Sequence, residues 1–177
     1  TANTTGANNI GIGGSTLDAN TRAHDNVAIG NAALGASNSA DNVAIGNLAL
    51  TALTSGSRNT AMGSLALDAT DDGADNTAMG YGSLSANCGS YNTAVGIHTL
   101  GACEGTTNTA MGHAAGLAVT SGGNNLVLGN NAGRSGSPGG AVTTASNEIA
   151  LGDENITECN IQVDWTIASD ERDKTDF

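Results

Sequence analysis

The chain has 177 residues, of which 38% are hydrophobic but only 2% are aromatic, and its formal net charge at pH 7 is −12. Aromatic rings normally dominate core burial, so a core built from Ala, Val, Ile, Leu and Met is thin. Five Lys and Arg residues are too few for a phosphate-binding surface, which excludes nucleic acid and anionic membrane surfaces as partners. No apolar run reaches the length of a membrane span, so membrane insertion is not expected.

One five-residue phrase recurs along the chain. It reads Asn-Val-Ala-Ile-Gly at 26–30 and 42–46, and Asn-Thr-Ala-Met-Gly or Asn-Thr-Ala-Val-Gly at 59–63, 76–80, 92–96 and 108–112. Looser copies occupy 9–13, 125–129 and 148–152. The closing glycines lie 16 or 17 residues apart, except for a last interval of 23, and a Leu usually follows four residues after each glycine. The repeat is marked by Asn26, Gly30, Leu34, Asn42, Gly46, Leu50, Asn59, Gly63, Leu67, Asn76, Gly80, Leu84, Asn92, Gly96, Leu100, Asn108 and Gly112.

This period indicates a parallel β-solenoid. It is too short for a helical hairpin or a propeller blade, but it accommodates one coil with two short strands, before and after the glycine. Each coil then stacks on the next at about 4.8 Å. A single coil buries little apolar surface, so stability is expected to come from stacking and from neighbouring chains.

The alternation within the phrase predicts which side chains point into the coil. Val27 and Ile29 share one face and Ala28 lies on the other. We expect the larger residues to fill the coil interior, with the alanines forming a flat outer face that other chains approach closely.

The repeated Asn and Gly each have a structural explanation. Stacked Asn side chains can hydrogen-bond to the copies above and below, as in cross-β ladders. Glycine turns the corner without the steric penalty of a Cβ atom. A catalytic role for an Asn repeated in eight coils is disfavoured, because an active site needs one constellation.

The phrase, followed by small residues and Leu, resembles the head repeats of YadA-like trimeric autotransporter adhesins. Similar repeats occur in bacteriophage tail fibres. The resemblance covers residues 8–152, with slightly longer coils here. It implies an all-β, left-handed parallel β-roll with three chains around a common axis, in a virion or at the cell surface.

The C-terminus carries a second resemblance. Residues 169–174, Ser-Asp-Glu-Arg-Asp-Lys, resemble the opening of the endosialidase-type intramolecular chaperone that follows many phage fibres. The resemblance implies one self-cleavage at Ser169-Asp170, with Ser169 and Lys174 as the catalytic dyad. A lysine of lowered pKa can deprotonate a serine hydroxyl. The sequence departs from the family pattern at Asp173, where the family has Leu. We expect no other enzymatic activity.

These features divide the chain into three parts. Residues 1–133 form the repeat β-roll, and 134–168 form an atypical last coil followed by a capping strand and neck. Residues 169–177 begin the chaperone-like segment. The capping strand is predicted from Ile161, Val163, Trp165 and Ile167, which alternate with polar residues.

Other chemistry-bearing residues favour structural interpretations. His24, His98 and His113 occur singly, although the last two could meet on adjacent coils. The carboxylates Asp68, Asp71, Asp72 and Asp75 match no calcium-loop spacing and are interpreted as solvated turns. Cys88, Cys103 and Cys159 show no metal or redox spacing. No cofactor and no metal site are predicted.

Two functional hypotheses remain. The first is a homotrimeric virion fibre, a tail fibre or appendage shaft, that contacts other virion proteins and a host surface glycan or protein. The alternative is a bacterial trimeric surface adhesin that binds matrix or glycan. The chaperone-like end favours the virion. An ice-binding solenoid ranks third, because only one column carries repeated Thr.

Overall fold

The computed structural model describes residues 5–137 and 140–158. These residues form nine three-residue strands, one at each copy of the repeated phrase. The strands are β1 (Ile10–Ile12), β2 (Val27–Ile29), β3 (Val43–Ile45), β4 (Thr60–Met62), β5 (Thr77–Met79), β6 (Thr93–Val95), β7 (Thr109–Met111), β8 (Leu126–Leu128) and β9 (Ile149–Leu151).

All nine strands pair in parallel and in sequence order in one sheet. Equivalent residues are in register, for example Ala61 opposite Ala78. The solenoid class predicted from the repeat is therefore confirmed: the chain is an all-β parallel β-solenoid. The part of the chain that the structure describes contains no helix that could cross a membrane.

Each coil contains one strand, not the two that the sequence suggested. The segment between the glycine and the Leu is a series of turns, and its residues include left-handed backbone. Leu34, Leu50 and Leu84 have φ values of 49°, 51° and 51°. Gly116 and Gly133 stand at the same position with φ values of 64° and 72°. Glycine at these two positions is the feature of the sequence that indicates left-handed backbone. Leu adopts the same conformation in the other coils, where the burial of its side chain offsets the steric cost of a positive φ.

The predicted orientation of the strand residues is wrong. The central alanines point into the coil and are fully buried, whereas their larger neighbours face outward. The interior is too narrow for larger side chains, because the Leu four residues after the glycine already occupies it. A Cβ atom added at Gly11, the central residue of β1, would lie 3.2 Å from Oγ1 of Thr16 and in van der Waals contact with Cδ1 of Leu17 at 3.4 Å, so a methyl group already reaches these side chains.

In the coil that begins at Asn125, a larger side chain at the central strand position is accompanied by a smaller residue at the Leu position, which supports the interpretation that the two positions share the interior. Its central strand residue is the larger Val127, and Gly133 replaces the facing Leu. A Cβ atom added at Gly133 would lie 3.1 Å from Cγ1 of Val127. The larger strand residue therefore fills space that a Leu fills in earlier coils.

Candidate assembly face

The outer face of the sheet is a continuous apolar surface, which we call the assembly face. It consists of the first and third residues of each strand. Several of these side chains are 40% exposed or more, including Met62, Met79 and Met111 near the middle and Ile10, Ile12, Ile149 and Leu151 at the two ends. Exposed apolar strips of this kind are often sites of interaction with other molecules.

The assembly face changes character along the stack. The first three strands present Ile or Val, and the last two present Leu or Ile. The four central strands instead place Thr at the first position, namely Thr60, Thr77, Thr93 and Thr109. The ends of the face are thus wholly aliphatic, and the middle combines a polar column with Met or Val.

A buried ladder of Asn side chains fixes the register of this face. The Oδ1 atom of each repeated Asn accepts a hydrogen bond from the backbone N–H of its counterpart in the next coil. Examples are Asn26 to Asn42 at 3.0 Å, and Asn92 to Asn108 at 2.9 Å. The ladder ends with Asn125, which accepts from the Glu148 backbone N–H at 2.9 Å. Since backbone is joined to side chain at every step, slippage of one coil would leave buried polar groups unpaired.

The glycines that close each strand permit close stacking of the coils. Gly80 has a φ of 133°, and a Cβ atom added to it would overlap the carbonyl group of Gly96 in the next coil. The same relation joins Gly46 to Gly63 and Gly63 to Gly80. Left-handed residues also occur just before each repeated Asn, for example Asp25 and Asp75, so the Asn itself is not the left-handed residue of the turn.

His98 and His113 lie on adjacent coils, one residue out of register, and their rings make different contacts. The ring of His98 packs edge-on against Tyr81, with the centroids 5.3 Å apart. The Nδ1 atom of His113 is 3.1 Å from Oδ1 of Asn130. His24 instead lies near two carboxylates, and its Nδ1 atom is 2.6 Å from Oδ2 of Asp25.

The four carboxylates at 68–75 do not converge. Asp75 binds the Arg58 guanidinium through two hydrogen bonds of 2.6 and 2.8 Å, and this contact lowers the pKa of Asp75. Asp71 accepts a hydrogen bond from the hydroxyl group of Thr54 in the preceding coil. Partial burial raises the pKa of Asp68. Within residues 5–137 and 140–158, these carboxylates belong to no group of three metal-ligating side chains.

Cys88 and Cys103 are free thiols inside the coil. Burial raises the pKa of Cys88 to about 11, despite the hydroxyl of Thr70, which is 3.1 Å from its sulfur. Burial also raises the pKa of Cys103. Both thiols are therefore protonated near neutral pH and act as small apolar side chains.

Several predicted features lie outside the described residues. These are the Ser169 and Lys174 dyad, Cys159, and the alternating segment that contains Trp165. The predicted division of the chain at 168/169 lies there as well.

Comparison with protein-family models gives no match to this chain, and comparisons with curated proteins and with solved structures give none either.

Proposed function

We propose that this chain is a structural segment of a homotrimeric fibre, in which three copies pack around a common axis through the assembly face. The observation that carries the proposal is the exposed apolar surface that runs along all nine strands. A surface of this kind is costly to leave in water and is typical of an interaction site.

The strands alone supply about half of the area that a stable interface needs on each partner. Nine strands make a strip roughly 40 Å long. The strip is two side chains wide, so its area is about 400 Å². A stable interface needs about 800 Å² per partner, so the corners beside the strip must contribute. Tyr81 and Ile97, which follow the corner glycines, are 47% and 49% exposed and extend the apolar strip.

A cyclic assembly with its axis parallel to the stack matches the regularity of the face. In that arrangement, each coil lies level with the same coil of its neighbours, so equal residues meet at equal heights. Thr60, Thr77, Thr93 and Thr109 then meet their own copies. The number of three chains and the left-handed course of the coils come from the resemblance to YadA-like head repeats.

The fibre is assigned to a virion, as a tail fibre or appendage shaft. This assignment comes from the chaperone-like residues 169–174, with cleavage at Ser169-Asp170 as a single maturation event. Host glycans or proteins would contact the outer loops, while other virion proteins would hold the fibre ends. A bacterial surface adhesin would use the same assembly face but has no need of the chaperone-like segment.

Light scattering on the purified chain tests the trimer. We expect three times the chain mass of 17.3 kDa. Met111→Asp should give monomers, because it places three charges in one apolar layer. Ser121→Asp adds the same charge to an exposed loop of the same coil and should leave the trimer intact.

A wild-type monomer would overturn the proposed assembly, as would a Met111→Asp variant that remains trimeric. Intact mass separately tests maturation. Chains that end at Ser169 in the wild type, but not in Ser169→Ala, support the cleavage. Uncleaved wild-type chains would remove the argument for a virion and leave the fibre proposal standing.

A further inference from the structure

One group of metal-ligating side chains lies outside the assembly face, at a corner where two coils stack. His24, Asp25 and Asp41 each offer one ligand atom, and the three atoms lie within 4.8 Å of one another. Among the described residues, this is the single group of three or more such side chains. All three residues are exposed to solvent.

The solenoid itself places these residues together. Asp25 and Asp41 precede the repeated Asn of successive coils, with similar left-handed φ values of 59° and 62°. The backbone N–H of Asp41 donates to the carbonyl oxygen of His24 at 3.2 Å. The three side chains therefore project from two hydrogen-bonded layers, whose spacing the sheet and the Asn ladder fix.

The charges at this corner are only partly balanced within the protein. Stacking sets two carboxylates one coil apart, and the His24 imidazole lies beside them. The next position in the column is Arg58, whose guanidinium binds Asp75 on the far side and has only a weaker electrostatic interaction with Asp41. A side-chain amide of Asn8 donates to Asp25 at 2.8 Å and supplies no charge. Two carboxylates one coil apart, with an imidazole that already contacts one of them, form an attractive environment for a cation.

We propose that His24, Asp25 and Asp41 bind one divalent transition-metal ion of the zinc type and so join two consecutive coils. An imidazole with two carboxylates suits Zn²⁺, Co²⁺ or Ni²⁺, whereas Ca²⁺ needs six or more oxygen ligands and Mg²⁺ keeps oxygen ligands and water. Ligand bonds of about 2 Å set tetrahedral ligand atoms about 3.3 Å apart, so Nδ1 of His24 and Oδ2 of Asp25, now 2.6 Å apart, would separate, and the Asp41 oxygen would come within that spacing. Exposed side chains can make that adjustment by rotation, with water completing the coordination.

The site lies within one chain, so binding does not depend on the proposed assembly. A bound ion would stabilise the folded coils, because the unfolded chain does not hold the three ligands together. The consequence would be greatest for the two coils that the ion joins, which carry β2 and β3.

Calorimetric titration with Zn²⁺ tests the proposal. The titration uses Cys159→Ser as the background, which removes a further zinc-binding thiol. We expect one Zn²⁺ per chain, no binding of Ca²⁺, and a melting temperature that rises with Zn²⁺ concentration. In the same background, His24→Ala and Asp41→Asn should each weaken Zn²⁺ binding by at least about tenfold.

The matched control is His113→Ala, since His113 is also an exposed histidine at a corner of the coil. It should bind Zn²⁺ like the background. Circular dichroism of each variant without metal establishes that the fold is retained. Broadening of the backbone amide NMR signals by Co²⁺ should centre on residues 24, 25 and 41. Equal Zn²⁺ affinity in the His24→Ala variant, equal loss in His113→Ala, or broadening centred elsewhere would overturn the site.

Discussion

The side chains inside the coil vary much less from coil to coil than those on its outer face. Inside, the five coils of β2 to β6 repeat the same Ala, Asn and Leu, and these side chains are fully buried. Outside, the two strand positions vary among Val, Ile, Leu, Thr and Met, and many of them are 40% exposed or more. A narrow interior accepts one set of shapes only, whereas side chains of several sizes fit on the outer face, which meets other copies of the chain in the proposed assembly.

The sharpest way to test this comparison uses adjacent residues of β4. Ala61→Asp should destabilise the chain by at least about 4 kcal/mol, because it buries an unpaired carboxylate in a coil with no room for it. Met62→Asp should change the unfolding free energy of the dilute monomer by less than about 0.5 kcal/mol. Urea unfolding measures both changes. The reverse order of effects would mean that the larger side chains fill the interior after all.

The second largest effect is expected where the coils approach most closely. Gly80→Ala should cost at least about 3 kcal/mol, because of its positive φ and the overlap with the Gly96 carbonyl group. Gly14→Ala is the matched control: a Cβ atom there meets only the side-chain amide of Asn31, at 3.2 Å. Comparable unfolding midpoints in urea for the two variants would contradict the close stacking.

A smaller loss of stability is expected when one Asn side chain of the buried ladder is removed. Asn92→Ala should cost about 2–3 kcal/mol, because it leaves buried donors and acceptors unpaired. The lost bonds include the one to the Asn108 backbone N–H at 2.9 Å and the one to the Gly105 carbonyl oxygen at 3.0 Å. The exposed Asn47 provides the control, Asn47→Ala, and thermal unfolding gives the comparison. A cost no greater than that of the control would mean that the ladder adds nothing to stability.

The smallest expected effect is a change in the unfolding free energy at alkaline pH. The pKa of Cys88 is raised from 9.0 to about 11 in the folded chain, so folded Cys88 retains a proton that the unfolded chain loses. Its contribution is complete below pH 9 and declines as the pH rises through 11. The unfolding free energy of the wild type should therefore fall more steeply over this range than that of Cys88→Ala. Parallel curves would show that this thiol is not sequestered.

Much of the fold could be predicted from the sequence. The regular spacing of Asn, Gly and Leu predicts a solenoid of parallel stacked strands, because in-register stacking repeats one environment at one interval. The candidate metal corner was not predicted. His24, Asp25 and Asp41 are close only because coils of 16 and 17 residues place positions 25 and 41 in one column.

The sequence by itself determined the repeat, its parallel stacking and the positions that must be Asn or Gly. Only the tertiary structure decided the direction of each side chain. Alternation defines two faces of a strand but does not say which is inside, and hydrophobicity alone favours the larger residues there. The choice depends on the width of the coil. That width is set by Leu side chains from left-handed turns, which leave room for a methyl group and no more.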